Sequence, residues 1–443
     1  MPGYGVNLRH LPNGPCPHPL ARSLFHSLPL LLLALNYIWV LFFLIAFLVA
    51  LVKLVLFGDT EIFKLIVEGL FDSSKAAVMD IALPLAGVMT FFLGLLNIGE
   101  KAGAINFLAR LIGPFFHKLF PEVPVNHPAN GQMIMNFSAN MLGLDNAATP
   151  FGLKAMASLQ ELNPQKDTAS NAQIMFLVLH TSGLTIIPLS IMAQRAILGA
   201  KDPSDIFIPC LIATYVATVV SMIAVALKQR INLLNTTVLG WLGGITSLIG
   251  LALWYLAGKP KEEIEMISKV TGNLILMLII VAFLLGALRK RVDIFDAFVE
   301  GAKGGFETSV RIIPYLVGML AAISAFRTSG AMDYVIDGLK YAFSLTGLNT
   351  EFTDALPVAL MRPLSGSGSR ALMIDAMKQF GPDSFVGRLA CMFQGAADTT
   401  FYIVALYFGS VGIRNSRYAI PFGLFADLMG VIAGIALGYF FFH

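Results

Sequence analysis

Residues 357–413 read PVALMRPLSGSGSRALMIDAMKQFGPDSFVGRLACMFQGAADTTFYIVALYFGSVGI, and they set charges into an otherwise apolar chain. Arg362, Arg370, Asp375, Arg388 and Asp398 stand among aliphatic residues, beside a serine and glycine run at 365–369. An Asp or Arg at the centre of a bilayer costs roughly 3 kcal/mol even on the lenient insertion scale, so such residues face water, a partner or a ligand. The stretch implies a polar cavity inside a membrane protein.

Composition agrees. The 443 residues are 56% hydrophobic and only 13% charged, with a mean hydropathy of +0.75, too apolar for a soluble domain. The lipid bilayer is therefore the first partner. A net charge of +3 arises from Lys and Arg spread along the chain, so neither nucleic-acid binding nor a basic lipid-binding cluster is implied. Cys16, Cys210 and Cys391 are far apart and lack metal-ligand spacing, and no metal or cofactor is expected. No HExxH or GxSxG occurs and the seven His residues are scattered. The chain does not read as an enzyme; hydrolysis within the membrane through Asp145, Asp375 or Asp398 is the remote alternative.

Residues 1–35 read as a disordered or extended N-terminus, followed by a retained first span at 36–57 with no small-residue cleavage site. Residues 63–75 carry Lys64, Glu68, Asp72 and Lys75 and are expected to lie at the interface. Further spans are expected at 78–98, 171–194, 206–228, 235–257, 271–289, 309–327, 385–409 and 417–441, nine in all. Residues 101–165 and 330–383 are of intermediate hydropathy and rich in Gly, Pro and Asn. Irregular backbone at membrane depth is tolerated only inside protein or along a cavity, so both regions read as amphipathic helices leading into re-entrant hairpins.

These regions belong to an internal repeat. FKLIVEG from Phe63 matches FDAFVEG from Phe295, Pro84 matches Pro314, and KAGAINF from Lys101 matches TSGAMDY from Thr328. IIPLS from Ile186 takes the place of FYIVA from Phe401, and IPCLIATYVATVV from Ile208 matches IPFGLFADLMGVI from Ile420. The offset falls from 230 at the first proline pair to 212 at the last, so the first copy holds 18 extra residues around 120–170. The copies are placed at 36–230 and 270–443, joined by a linking span within 231–269. One unmatched crossing between two even-numbered units turns the second upside down, as in many secondary transporters. Lys228, Arg230, Arg289–Arg291, Arg414 and Arg417 then share one side, which the positive-inside rule makes cytoplasmic, with the N-terminus inside and the C-terminus outside. The expected fold is all-α and polytopic, with two inverted repeats and re-entrant hairpins.

Candidate binding residues fall in three places. In the first copy, MNFSANMLGLDNAATPFGLKAM at 135–156 supplies Asn136, Ser138, Asn140, Asp145, Asn146 and Thr149, and Gly143 and Pro150 are suited to breaking a helix. Broken helices leave N–H and C=O groups that can hold a ligand; the same residues could instead cap helices and tie the hairpin together. In the second copy, Pro363 ends a helix and Ser365, Gly366, Ser367, Gly368 and Ser369 offer a flexible backbone. That run lacks a GK[ST] ending and a preceding strand, which argues against nucleotide hydrolysis, and its glycines could equally serve close helix packing. The third place sets His180, Thr181 and Ser182, within HTSGLTIIP at 180–188, against Gln394, Gly395, Asp398, Thr399 and Thr400. Asp398 could form a static ion pair with Arg362, Arg370 or Arg388, or exchange a proton or bind a cation during transport.

These motifs carry a family resemblance. Residues 36–230, with NMLGLDNAATPFGLKAM and HTSGLTIIP, resemble spore maturation protein A; residues 270–441, with MRPLSGSGSRALMIDAMKQFGPDSF and QGAADTTFYIVALYFGSVGI, resemble spore maturation protein B. The chain looks like a fused form of these two families. His180 stands where the A-type pattern has Asn, and Ser369 and Arg370 follow SGSG where small apolar residues are usual. The resemblance implies a nucleoside recognition, or Gate, domain shared in part with concentrative nucleoside transporters and the membrane region of ferrous iron transporter B. By resemblance the polar residues above would bind a small polar, nucleoside-like solute, and the chain would be a multi-pass permease of a bacterial cytoplasmic (inner) membrane. A coupling proton or cation, and a homo-oligomer formed through the span at 235–257, accompany that expectation. A non-transporting component of envelope or spore maturation and a channel remain as alternatives.

Overall fold

A segment crossing hydrocarbon must satisfy its own backbone groups, and helices are how a chain this apolar does so. The computed structural model describes residues 20–443 apart from 144, 346 and 348; most of the expected N-terminal segment, residues 1–19, lies outside the described residues. The first copy runs through α1 (Leu20–Phe57), α2 (Ile62–Ala76), a π-helical turn at Ala77–Ala82, α3 (Leu83–Ala102), α4 (Ala104–Leu119), α5 (Pro128–Met141), α6 (Asp145–Leu162), α7 (Asn171–Thr181), α8 (Leu189–Ile197) and α9 (Phe207–Gln229). After α10 (Thr236–Ala257) come α11 (Lys261–Arg289), α12 (Ile294–Thr328), α13 (Ala331–Ser344), a 3-10 turn at Glu351–Ala355, α14 (Leu356–Met361), α15 (Gly366–Phe380), α16 (Phe385–Gly395), α17 (Thr400–Ser410) and α18 (Ala419–Phe442). The described residues contain no strand, only an isolated bridge between Thr168 and Asn415.

Several expectations change in detail. Helix α1 begins at Leu20 rather than near residue 36. The helix expected at the interface, 63–75, is continuous with the next span: Ile62–Ala102 forms one run of 41 residues. Phe71–Leu83 contain neither Gly nor Pro, so nothing stops the helix, and the π turn absorbs the register change. Helix α12 likewise starts at Ile294, not 309. Eight described helical stretches are long and apolar enough to cross a membrane; one of them, Phe385–Ser410, is divided at 396–399, and the other expected span, 171–194, is likewise interrupted at 182–188. Both intermediate regions do form an amphipathic helix followed by a hairpin. Helix α4 buries Ile105, Ile112 and Phe116 and exposes Phe107 and Leu111, and α13 buries Met332 and Ile336 while exposing Tyr334 and Tyr341.

Hydrogen bonds and close approaches fix the relative direction of the copies. Along α7–α8, Ala169 N bonds Asn415 O at 2.9 Å, Thr181 O accepts from Asp398 N at 2.8 Å, and Arg195 meets Asp383 at 3.3 Å. As one number rises the other falls, so α7–α8 runs antiparallel to α16–α17. The same holds for α2–α3 against α12. Ser324 Oγ donates to Gly69 O at 3.1 Å, Gly305 touches Met89, and Asn97 Nδ2 donates to Ala297 O at 2.7 Å. Equivalent elements facing each other head to tail are the mark of an inverted repeat. Helix α10, the unmatched one, presents an exposed apolar surface at Leu239, Leu248, Leu251 and Trp254.

Small residues permit the α3–α12 contact. A Cβ added at Gly305 would lie 2.6 Å from Met89 O and 2.7 Å from Thr90 Cα, which are backbone atoms that only a helix shift could clear. Gly305→Ala should therefore lower stability by about 1–3 kcal/mol, read as a lower melting temperature in detergent. Gly243→Ala on α10, where a Cβ meets nothing within 4 Å, should not lower it.

Candidate functional site

The site is assembled from interruptions. In the first copy α7 stops at Thr181 and α8 starts at Leu189, with Gly183 in the left-handed region at φ 61°. In the second, Ala396–Thr399 separate α16 from α17. Each interruption is bound to the tip of its own hairpin. Ile186 N donates to Met141 O at 2.7 Å; Arg362 Nε donates to Ala397 O at 2.8 Å, and Phe401 N donates to Pro363 O at 3.2 Å. The interruptions meet where Asp398 N donates to Thr181 O. A Cβ on Gly183 would come within 3.1 Å of Asp398 N, so glycine is what lets the two backbones approach.

The serine and glycine run is helical, not a flexible loop. Ser365 caps α15, its Oγ accepting from Gly368 N at 3.0 Å, and residues 366–369 form the first turn. A serine cap followed by small residues lets this helix start close against the interruption: a Cβ on Gly366 would lie 2.8 Å from Thr399 Oγ1 and 3.1 Å from Arg362 Nη1. Pro150 also behaves differently from expectation. It lies inside α6, near enough to the start that the helix loses one hydrogen bond without ending, and the break falls instead at Gly143, φ 71°.

Asp398 sits at the junction. Its Oδ1 accepts from Thr399 N at 2.7 Å and lies 3.7 Å from Arg362 Nη2; Oδ2 is 3.8 Å from His180 Nε2. The side chain is 35% exposed, whereas His180, Thr399 and Thr400 are 4%, 5% and 0% exposed. Arg388, a candidate partner, is directed elsewhere. It lies ten residues before Asp398, roughly 15 Å along a helix, and binds Asp205 at 2.8 Å.

Behind Asp398 the polar chain continues. Asn136 Nδ2 donates to Ala148 O at 2.6 Å, which turns its Oδ1 toward His180 Nδ1 at 3.0 Å. His180 therefore carries its proton on Nδ1 and presents Nε2 to Asp398. Tyr407 packs edge-on against His180 with ring centroids 5.0 Å apart, and its hydroxyl lies 3.4 Å from Asn136 Nδ2.

The remaining candidates divide. Gln394 Nε2 donates to Gly366 O at 3.4 Å, and its buried Oε1 has no partner among the described residues. Ser367 Oγ is 3.2 Å from Ser365 Oγ, and Gly368 packs on Met319 and Met361. The Thr181 and Ser182 hydroxyls donate to Val178 O and Leu179 O of their own helix. Thr400 Oγ1 donates to Asp427. Asn140, Thr149 and Arg370 are half-buried. The side chains of Asp145 and Asn146 lie outside the described residues. Asp375 is remote from this site: it accepts from Arg327 Nε at 2.9 Å beside a cavity of about 110 Å³ that Ser73, Ser324 and Lys378 also line. Among the described residues no three His, Cys, Asp or Glu side chains are grouped to hold a metal.

Sequence reading missed Tyr407, Asp427 and Arg195. Asp427 is the lone charge of an apolar run and could have been noticed. Arg195 is fully buried, within 2.8 Å of Asp205 and 3.3 Å of Asp383, and it donates to Pro382 O; it ties α8 to the segment leading into α16. Its acidic partners were visible in sequence, but not their approach.

Comparison with known proteins matches the nucleoside recognition (Gate) family model to residues 82–198 and 309–414, half of the chain. Spore maturation protein B of Bacillus subtilis (strain 168) is 48% identical over 160 residues, covering 36% of this chain and 88% of that protein. Spore maturation protein A of the same organism is 40% identical over 156 residues, covering 35% and 79%. No solved structure matches the chain.

Asn136 holds a carbonyl and an imidazole within the protein interior. Asn136→Leu removes the buried donor to Ala148 O and leaves His180 Nδ1 only the long contact to the Tyr407 hydroxyl at 3.5 Å, and should cost about 1–3 kcal/mol. Tyr407→Phe, which removes only the two long contacts of its hydroxyl, to Asn136 Nδ2 at 3.4 Å and His180 Nδ1 at 3.5 Å, should cost less, as ranked by thermal melts of the purified variants.

Proposed function

The chain belongs to the Gate family, described as nucleoside recognition, and from that premise we propose that this multi-pass membrane protein is a carrier for a small polar, nucleoside-like solute in a bacterial cytoplasmic membrane. The observation that carries the reading is Asp398: a carboxylate at an interruption between two half-helices, 35% exposed while its neighbours are buried. An exposed acidic side chain at that depth has a use only if water or a polar solute reaches it.

The surrounding groups suit such a solute. Helices α15 and α17 begin at the junction, and their N-termini favour acceptor or anionic groups. Asp398 and the free Oε1 of Gln394 accept from hydroxyl or amide donors, and Arg362 donates. A nucleoside offers both kinds of group. Movement of one copy against the other about the contact between the interruptions would expose the junction alternately to the two sides. The same reading assigns no catalytic step to the chain.

Labelled uridine and adenosine, offered to the protein in liposomes, should enter saturably, and ligands that bind only the folded state should raise its melting temperature. Asp398→Asn should reduce uptake by about tenfold or more, the equivalent of roughly 1.4 kcal/mol, with an unchanged melting temperature. Wild-type rates in that variant would remove Asp398 from the mechanism. If no nucleoside, amino acid, dicarboxylate or metal ion shifts the melt or crosses the membrane, the carrier reading fails.

A further inference from the structure

Asp427 is the only charged residue of α18, eight residues from its start, roughly 12 Å into the helix. It is 6% exposed. Its Oδ2 accepts from Thr400 Oγ1 at 2.7 Å; its Oδ1 is buried with no hydrogen-bond partner among the described residues. None of the ion pairs of the described residues includes it.

The charged groups whose field reaches Asp427 are Arg362 and Asp398. Arg362 is already committed, through Nε to Ala397 O and through Nη1 and Nη2 to Thr399 Oγ1 and Asp398. The elements packed against α18 offer no substitute. Helix α9 carries Cys210, Tyr215 and Lys228, α7 carries His180, and α17 carries Tyr402 and Tyr407. Helix α16 carries Cys391 and Arg388; Arg388 is bound to Asp205 and lies over the Phe442 ring at the far end of α18. The charges of α11 lie at 261–269 and 289, its two ends. Tyr215 is taken by Thr246 at 2.7 Å, and His180 by Asn136.

An ionised carboxylate accepts at several lone pairs, and here a single hydroxyl serves it. The unpaired anion would be costly at this depth, while the neutral acid is not. Asp398, on the other side of Thr399 and Thr400, has an amide donor, a guanidinium and access to solvent. The two carboxylates thus flank one helix start, one wet and one dry.

Resting on the carrier reading, we propose that Asp427 holds the coupling proton of the transport cycle. In the conformation seen here it is a carboxylic acid. When α16 and α17 separate and water enters beside Thr400, the Asp427 O–H bond breaks and the proton passes to that water; the carboxylate left behind keeps the Thr400 hydrogen bond and gains solvation. Return to the dry state requires a proton from the opposite side. One proton moves per cycle and no electrons are exchanged.

Infrared difference spectroscopy of the reconstituted protein tests the proton without any solute. The wild type should show a protonated-carboxyl C=O stretch at neutral pH that shifts in D2O. That band should vanish in Asp427→Asn, persist in Asp398→Asn, and move in Asp427→Glu, which serves if the Asn variant fails to fold. Its absence from the wild type overturns the proposal. Uridine flux into liposomes loaded with a pH dye tests the coupling: an imposed proton gradient should drive uridine accumulation in the wild type, and Asp427→Asn should lose that drive while retaining uridine exchange. Uridine movement with no linked proton, or proton-driven accumulation in Asp427→Asn, sinks the inference alone. Failure of uridine and of every other solute class in the binding and uptake assays to shift the melt or cross the membrane sinks the carrier reading and the coupling role together, whatever the band shows.

Discussion

A helix interrupted inside hydrocarbon exposes N–H and C=O groups that lipid cannot satisfy, and this constraint organises the molecule. The hydrogen bond from Asp398 N to Thr181 O answers it by pairing one interruption with the other. Because those residues lie on opposite copies, neither copy can place its broken helix correctly alone. The hairpin tips then close the remaining gaps, Met141 O on one side and Arg362 with Pro363 O on the other. Once the polar backbone is gathered there, Asp398, His180 and Arg362 follow, since their side chains leave the same few residues.

The two ends of this assembly are held by different chemistry. At one end the fully buried Arg195 meets Asp205 and Asp383, and Arg388 meets Asp205. Buried ion pairs of this kind add little net stability, yet removing one partner leaves a costly charge, so they favour an all-or-none contact between copies. At the other end the copies join through hydrogen bonds to backbone and amide groups. Asp167 O accepts from Arg414 N and Asn415 N, and Asn171 Oδ1 accepts from Tyr418 and Arg417. Water can compete for exposed bonds of that sort far more readily than for a dry ion pair. The polar junction lies between an end held by buried ion pairs and an end held by hydrogen bonds.

Much of the architecture was legible in sequence. Apolar run lengths gave the spans, and the Gly, Pro and Asn content of 101–165 and 330–383 marked the hairpins, because lipid forbids irregular backbone elsewhere. Helix continuity was harder to read. Charges at Lys64, Glu68 and Asp72 suggested an interfacial helix, but a helix ends where its backbone is broken, and nothing between Phe71 and Leu83 breaks it. The opposite error occurred at 171–194 and at 385–409, where apolar composition concealed interruptions at 182–188 and 396–399.

The sequence by itself determined a membrane-embedded, all-helical chain whose halves repeat, and it singled out Asp398 and Arg362 as residues lipid would not tolerate. Those conclusions rest on local quantities: hydropathy, run length and the presence of helix breakers. Only the tertiary structure decided which charge answers which. Arg388 goes to Asp205 and not to Asp398, Tyr407 joins His180 and Asn136, and Thr400 reaches Asp427. Such pairings depend on the approach of segments that the chain itself keeps far apart, and no periodicity in a linear sequence records that distance.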